Sequence, residues 1–115
     1  LAPAPLALGQ LSRGVSLLEL TAAYLPLADG GRMHACRSFL LVTRADGTPI
    51  LRREAEERRV FSAATAAVMT HMLSAVVKDG SAKALTVDDT VSLAGKTGTS
   101  SGARDRWFIG YTPNL

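Results

Sequence analysis

Lys96-Thr97-Gly98-Thr99 gathers an ammonium, two hydroxyls and a position without a side chain into one short stretch. That set suits an anionic ligand: Lys96 supplies a point charge, Thr97 and Thr99 supply hydroxyl donors, and Gly98 leaves room for a ligand backbone. In a β-strand Lys96 and Gly98 share one face while Thr97 and Thr99 share the other, unless the glycine lets the strand bend. A peptide laid along such an edge could add itself as a strand, paired with the main chain of residues 97–99.

Rival chemistries fit less well. Gly95-Lys96-Thr97 resembles the end of a phosphate-binding loop, but that pattern needs glycine at position 90, which is Thr90. A second strand-like run also follows where such a loop would open a helix, which argues against a nucleotide. Cys36 is the single cysteine, so neither an internal disulfide nor a multi-cysteine metal site is available. It reads as a small buried apolar residue, since no histidine constellation activates it. His34 and His71 stand apart from each other and from any metal-ligand spacing, so no metal is expected.

The elements that must position the tetrad can be read from local patterns. Ser16-Leu17-Leu18-Glu19 is a capping box, which predicts a helix start. Leu17, Leu20, Ala23, Tyr24 and Leu27 recur at helical spacing, Pro26 predicts a kink or an end near Leu25, and Gly30-Gly31 supplies a left-handed stop. Arg37 to Arg44 and Thr48 to Arg52 read as a hairpin turning at Asp46-Gly47, with Pro49 confined to an edge. Ser62 should cap a helix running to Lys78 and closed by Gly80, with Ala67, Val68, Met72, Leu73, Val76 and Val77 as its apolar stripe. Ser81 to Thr90 reads as a connector. A strand is predicted from Val91 through Lys96, a turn over Ser100 to Asp105, and a strand over Trp107 to Tyr111.

Composition bounds the whole. A chain of 115 residues supports one small core, and 47% apolar with 20% charged residues is the make-up of a folded, soluble protein. The formal charge of +3 comes from 13 Lys and Arg against 10 Asp and Glu. Much of that charge alternates in sign over Arg52 to Arg59, which reads as a solvated face, with no nucleic acid partner. The opening Leu1-Ala2-Pro3-Ala4-Pro5 lacks the regions of a signal peptide and predicts a mid-chain start. No run approaches the roughly 18 to 20 apolar residues that cross a bilayer, so any anchor is expected upstream.

In this setting Lys-Thr-Gly resembles the substrate-binding strand of the penicillin-binding proteins, which use three motifs: Ser-x-x-Lys, Ser-x-Asn and Lys-Thr-Gly. The likeness spans nearly the full chain, through Ala7-Leu8-Gly9, Val15 to Tyr24, Ala28-Asp29-Gly30-Gly31, Met72 to Val77 and Gly80-Ser81-Ala82. The ending Trp107-Phe108-Ile109-Gly110-Tyr111-Thr112-Pro113 is most similar to the bifunctional class A group. The resemblance implies an α+β fold, a fragment of the β-lactamase and transpeptidase-like architecture with an antiparallel sheet flanked by helices. Residues 1–115 would be the C-terminal portion of a transpeptidase domain, with the nucleophile upstream and the last sheet and helix elements downstream.

The implied activity is serine acyl transfer that cross-links peptidoglycan at the outer face of the bacterial cytoplasmic membrane, without a cofactor. By this resemblance Lys96, Thr97 and Thr99, with Gly98 between them, bind the terminal carboxylate of a D-Ala-D-Ala stem peptide or of a β-lactam. The Thr99 backbone N–H would form half of an oxyanion hole. Trp107, Tyr111 and Arg104 are candidates for the cleft lining, although sheet packing suits Trp107 and Phe108 and a solvated turn suits Arg104 and Asp105. No serine is followed three positions later by lysine, and the one asparagine, Asn114, has Thr112 two positions before it. With neither nucleophile nor base, the chain by itself is predicted to be inert. A β-lactamase, a D,D-carboxypeptidase and a non-catalytic binding module would share the same strand, and nothing in these residues speaks to a glycosyltransferase domain in the parent chain. The remainder of the transpeptidase domain is the expected partner, and the isolated fragment is predicted to dimerise through an uncovered helix face.

Overall fold

The computed structural model describes residues 9, 11, 13–54, 56–85, 88 and 90–113. The sequence features at Leu1 to Pro5, at Ala7-Leu8 and at Asn114 lie outside them, as do parts of the 81–90 connector. Two helices and six strands follow in the order α1 (Leu17–Ala28), β1 (Arg32–His34), β2 (Leu41–Thr43), β3 (Pro49–Arg52), β4 (Glu57–Arg59), α2 (Ala63–Lys78), β5 (Ala94–Thr99) and β6 (Arg106–Tyr111). The strands form three two-stranded antiparallel ladders, β1 with β4, β2 with β3, and β5 with β6. The mixed α and β class and its antiparallel pairing are as expected, with the pairing spread over separate ladders.

Helix α1 opens on the anticipated capping box. The Glu19 amide donates to Ser16 Oγ at 3.2 Å, and the Ser16 amide donates back to the Glu19 carboxylate at 2.7 Å. The Ser16 amide, and then the Ser16 hydroxyl, which donates to the same carboxylate at 2.7 Å, hold the Glu19 carboxyl below its ordinary range. Its far end runs past the expected stop: Pro26 does not end the helix near Leu25, and the helix continues to Ala28. Proline here forfeits one amide bond near the last turn, and its own carbonyl accepts from Gly31 at 2.7 Å in the six-to-one bond of a Schellman closure. Gly30, the residue after the cap, takes the positive φ of 52° that this closure requires, and Gly31 also takes a positive φ, 93°. Any side chain at Gly31 would also run into the Phe61 carbonyl.

The hairpin forms at Asp46-Gly47, with Gly47 at φ 86° and the Thr48 amide donating to Asp46 Oδ1 at 2.9 Å. Its first strand begins at Leu41, later than the apolar run suggests, and every residue of β2 and β3 is exposed. The β1–β4 ladder has no counterpart in the sequence reading. It pairs Arg32 with Arg59 and His34 with Glu57, so the mixed-charge stretch is solvated and also contributes a strand. The Val60 amide continues that seam onto Gly31 O at 2.8 Å. Cys36 is exposed, not buried as its residue type implies, because the segment between β1 and β2 runs over the surface.

Helix α2 starts from Ser62, whose Oγ accepts the Thr65 amide at 3.0 Å, and ends at Asp79. Gly80, expected to close the helix, therefore lies one residue beyond the cap and keeps negative φ. The stripe is also rotated from its predicted position. Ala66 and Leu73 are buried and Thr70, Val76 and Val77 half-buried, whereas Val68 and Met72 are 60% and 57% exposed. A helix apolar around most of its circumference buries whichever face its neighbours meet, here β5 and α1. Small Ala66 and Ala94 permit that approach. A polar tie completes the junction: Thr70 Oγ1 donates to the Leu27 carbonyl at 3.2 Å and lies 2.8 Å from the Tyr111 hydroxyl.

Candidate active-site strand

β5 carries the tetrad, beginning at Ala94 rather than Val91, and it pairs Lys96 with Ile109, Thr97 with Phe108, Gly98 with Trp107 and Thr99 with Arg106. Opposed residues of an antiparallel ladder share a face, so Lys96, Gly98, Trp107 and Ile109 lie on one side of the hairpin. Thr97, Thr99 and Phe108 lie on the other. The first side is a wall of an open groove of about 800 Å³, which Thr97 and Thr99 also line from the edge of the strand, and whose opposite wall comes from Val15 to Leu17, Leu20 and Tyr24 of the α1 end. Desolvation in this wall, and then the nearby Tyr111, push the Tyr24 phenol above its ordinary pKa.

The ladder also fixes which main-chain groups of β5 are free. Where the turn closes, the Ser100 amide donates to the Asp105 carbonyl at 3.1 Å. Hydrogen-bonded and non-hydrogen-bonded pairs alternate along an antiparallel ladder, so Gly98 and Lys96 turn their peptide groups toward β6. Thr97 and Thr99 turn theirs toward the opposite edge, which has no strand partner among the described residues. Lys96 Nζ reaches over that edge, donating to the Thr97 carbonyl at 2.9 Å and approaching Thr97 Oγ1 at 3.4 Å. Ammonium, hydroxyl and free peptide groups therefore meet at one rim. A Cβ placed on Gly98 would meet nothing within 4 Å, so its absence keeps the groove face clear.

The remaining candidates separate. Trp107, 53% exposed, lines the groove beside the tetrad. Phe108 packs over the opposite face, where side chains at Gly95 or Gly110 would collide with its ring. Tyr111 points into the α2 junction through Thr70, away from the groove wall. Arg104 is an exposed residue in the turn that follows Ser101–Ala103, and its neighbour Asp105 is the one that reaches the groove. Ser81, which the sequence offers only within the matching stretch Gly80-Ser81-Ala82 and not as a site residue, places its Oγ 2.7 Å from Thr97 Oγ1. Only the spacing of a helix end from a later strand links those two, and no local pattern encodes that. Among the described residues no group of His, Cys, Asp and Glu converges as a metal site, and no helix is long and apolar enough to cross a membrane.

The chain matches the penicillin binding protein transpeptidase domain family over residues 3–114. It belongs to that family. Penicillin-binding protein 1F of Bacillus subtilis (strain 168) is 40% identical over 116 residues, covering 96% of this chain and 16% of the relative. Penicillin-binding protein 1A of Aquifex aeolicus (strain VF5) is 36% identical over 112 residues, covering 96% of this chain and 15% of the relative. This transpeptidase-domain chain thus spans less than a fifth of the length of either relative. The fold agrees with penicillin-binding protein A from M. tuberculosis, solved as an imipenem acyl-enzyme complex, with a TM-score of 0.78 at 24% identity over 91% of this chain and 24% of that one.

Proposed function

We propose that this chain forms the carboxylate-binding and oxyanion-stabilising wall of a serine D,D-transpeptidase acting on peptidoglycan stem peptides at the extracytoplasmic face of the membrane. The observation that carries this reading is the rim of β5, where the Lys96 ammonium meets the outward peptide groups and hydroxyl of Thr97. Lys96 and the hydroxyls of Thr97 and Thr99 hold the terminal carboxylate of a D-Ala-D-Ala peptide or of a β-lactam. The Thr99 N–H, on the same free edge, donates to the oxyanion that forms when the serine Oγ attacks the scissile carbonyl. A donor aimed at that developing charge is worth about 3 to 4 kcal/mol of barrier.

The nucleophile and its base lie in another part of the domain, because no Ser-x-x-Lys occurs in this sequence. Acylation forms the serine ester and releases D-Ala as its amine takes up a proton. An amine of a neighbouring stem then attacks that ester, regenerating the serine and forming the cross-link. The chain alone is inert in this reading, and the same strand accommodates penicillin.

The test is Lys96→Ala in the full-length protein, with acylation by benzylpenicillin followed by intact mass. Loss of a charge-assisted hydrogen bond of about 1.5 to 3 kcal/mol slows acylation about ten- to a hundredfold. Acylation at the wild-type rate would overturn the role given to Lys96.

A further inference from the structure

Thr97 is bound by a residue from outside its own hairpin. Ser81 Oγ lies 2.7 Å from Thr97 Oγ1, and Lys96 Nζ approaches the same oxygen at 3.4 Å. We propose that Ser81 is a positioning residue for carboxylate recognition, setting the Thr97 hydroxyl so that its proton faces an anionic ligand. The proposal rests on β5 being the carboxylate-binding strand.

A hydroxyl has one proton and two acceptor lone pairs. The Lys96 ammonium can only donate, so its approach engages one lone pair of Thr97 Oγ1. When Ser81 donates as well, both lone pairs are engaged and the Thr97 proton is left for the groove. In the reverse arrangement Thr97 spends its proton on Ser81 and presents a lone pair to a carboxylate, which repels it. An anionic ligand therefore selects the state in which Ser81 donates, and a protein that holds Ser81 in reach has that state prepared in advance.

The local structure holds it there. The amides of Gly80 and Ala82, on either side of Ser81, both donate to the Val76 carbonyl, at 3.2 and 3.1 Å. Ala82 is 3% exposed, and a side chain at Gly80 would come within 2.8 Å of Val76 Cα, so only glycine fits against the helix at that point. The Gly80-Ser81-Ala82 segment is thus docked on the last turn of α2, with the Ser81 side chain directed at β5. A serine on an unanchored loop would meet water instead.

The experiment compares acylation of the full-length protein by benzylpenicillin and by its uncharged methyl ester. Ser81→Ala is expected to slow the carboxylate ligand about three- to tenfold, the range of one ordinary hydrogen bond, and to change the ester by less than about twofold. Ser81→Thr keeps the hydroxyl and restores the rate. In a Thr97→Val background Ser81→Ala has no further effect, because the hydroxyl it orients is gone. An equal loss with both ligands, a loss that persists beside Thr97→Val, or no loss at all would each overturn the proposal. If Lys96→Ala and Thr97→Val themselves leave penicillin acylation unchanged, the underlying reading of β5 fails, and the proposal with it.

Discussion

Asp29 closes α1 with two cationic or polar partners: its Oδ1 accepts from Arg32 Nη2 at 3.0 Å, and its Oδ2 meets His34 Nε2. The Arg32 bond, and then the His34 bond, lower its carboxyl from 3.8 to about 2. A carboxyl held low in the folded state favours folding in its ionised form. That stabilisation is complete above 3.8 and is lost as pH falls through about 2. Asp29→Asn should therefore lower stability near neutral pH, with the gap between variant and wild type closing over that acid window. Acid titration followed by circular dichroism checks it, and a gap that stays constant down to pH 2 would show that Asp29 contributes through shape alone. Asp29 was quoted in the sequence only within a matching stretch, because its partners depend on how β1 leaves the helix. Lys96 to Thr99, by contrast, was legible at once, since its chemistry is contiguous.

At the scale of elements, what could be read was what is encoded within one turn of chain. The Ser16 capping box formed as spelled, and Ser16→Ala should lower thermal stability by about 1 kcal/mol, with Ser16→Asp close to wild type. Gly30 and Gly31 separate two effects that look identical in sequence. A side chain at Gly30 meets open space and incurs only the positive-φ penalty, whereas one at Gly31 also strikes the Phe61 carbonyl. Gly30→Ala should therefore cost about 1 kcal/mol and Gly31→Ala distinctly more, measured by urea unfolding of the two variants side by side. Equal losses would mean that the seam between Gly31 and β4 yields freely. That seam was illegible because a three-residue strand of charged side chains has no periodicity of its own and exists through pairing with a distant partner. The face of α2 was misread for a related reason. Val68, Met72 and Leu73 are equivalent by residue type, and only the placement of β5 and α1 selects Leu73 for burial.

For the molecule as a whole, the buried apolar side chains among the described residues are, beside Pro26 of α1, Leu73 and three alanines, Ala66, Ala82 and Ala94. A core of one leucine, a proline and alanines removes little apolar area from water, at about 25 cal/mol per Å² buried, while ordering each residue costs about 1 to 2 kcal/mol. The larger apolar side chains stand outside: Val68 and Met72 on α2, Leu17 and Leu18 on α1, Leu41, Ile50 and Leu51 on the β2–β3 hairpin. Such surfaces gain free energy when covered, so the isolated 115-residue chain is expected to associate, with a sedimentation coefficient that rises with concentration. Replacing Val68 and Met72 together by glutamate should shift that equilibrium toward monomer without loss of helix, because both side chains already face outward. In the full-length protein the same pair should be destabilising by several kcal/mol if the rest of the transpeptidase domain covers α2. A concentration-independent monomer in the first experiment, with a neutral double substitution in the second, would mean that this helix face needs no cover and that the small core suffices.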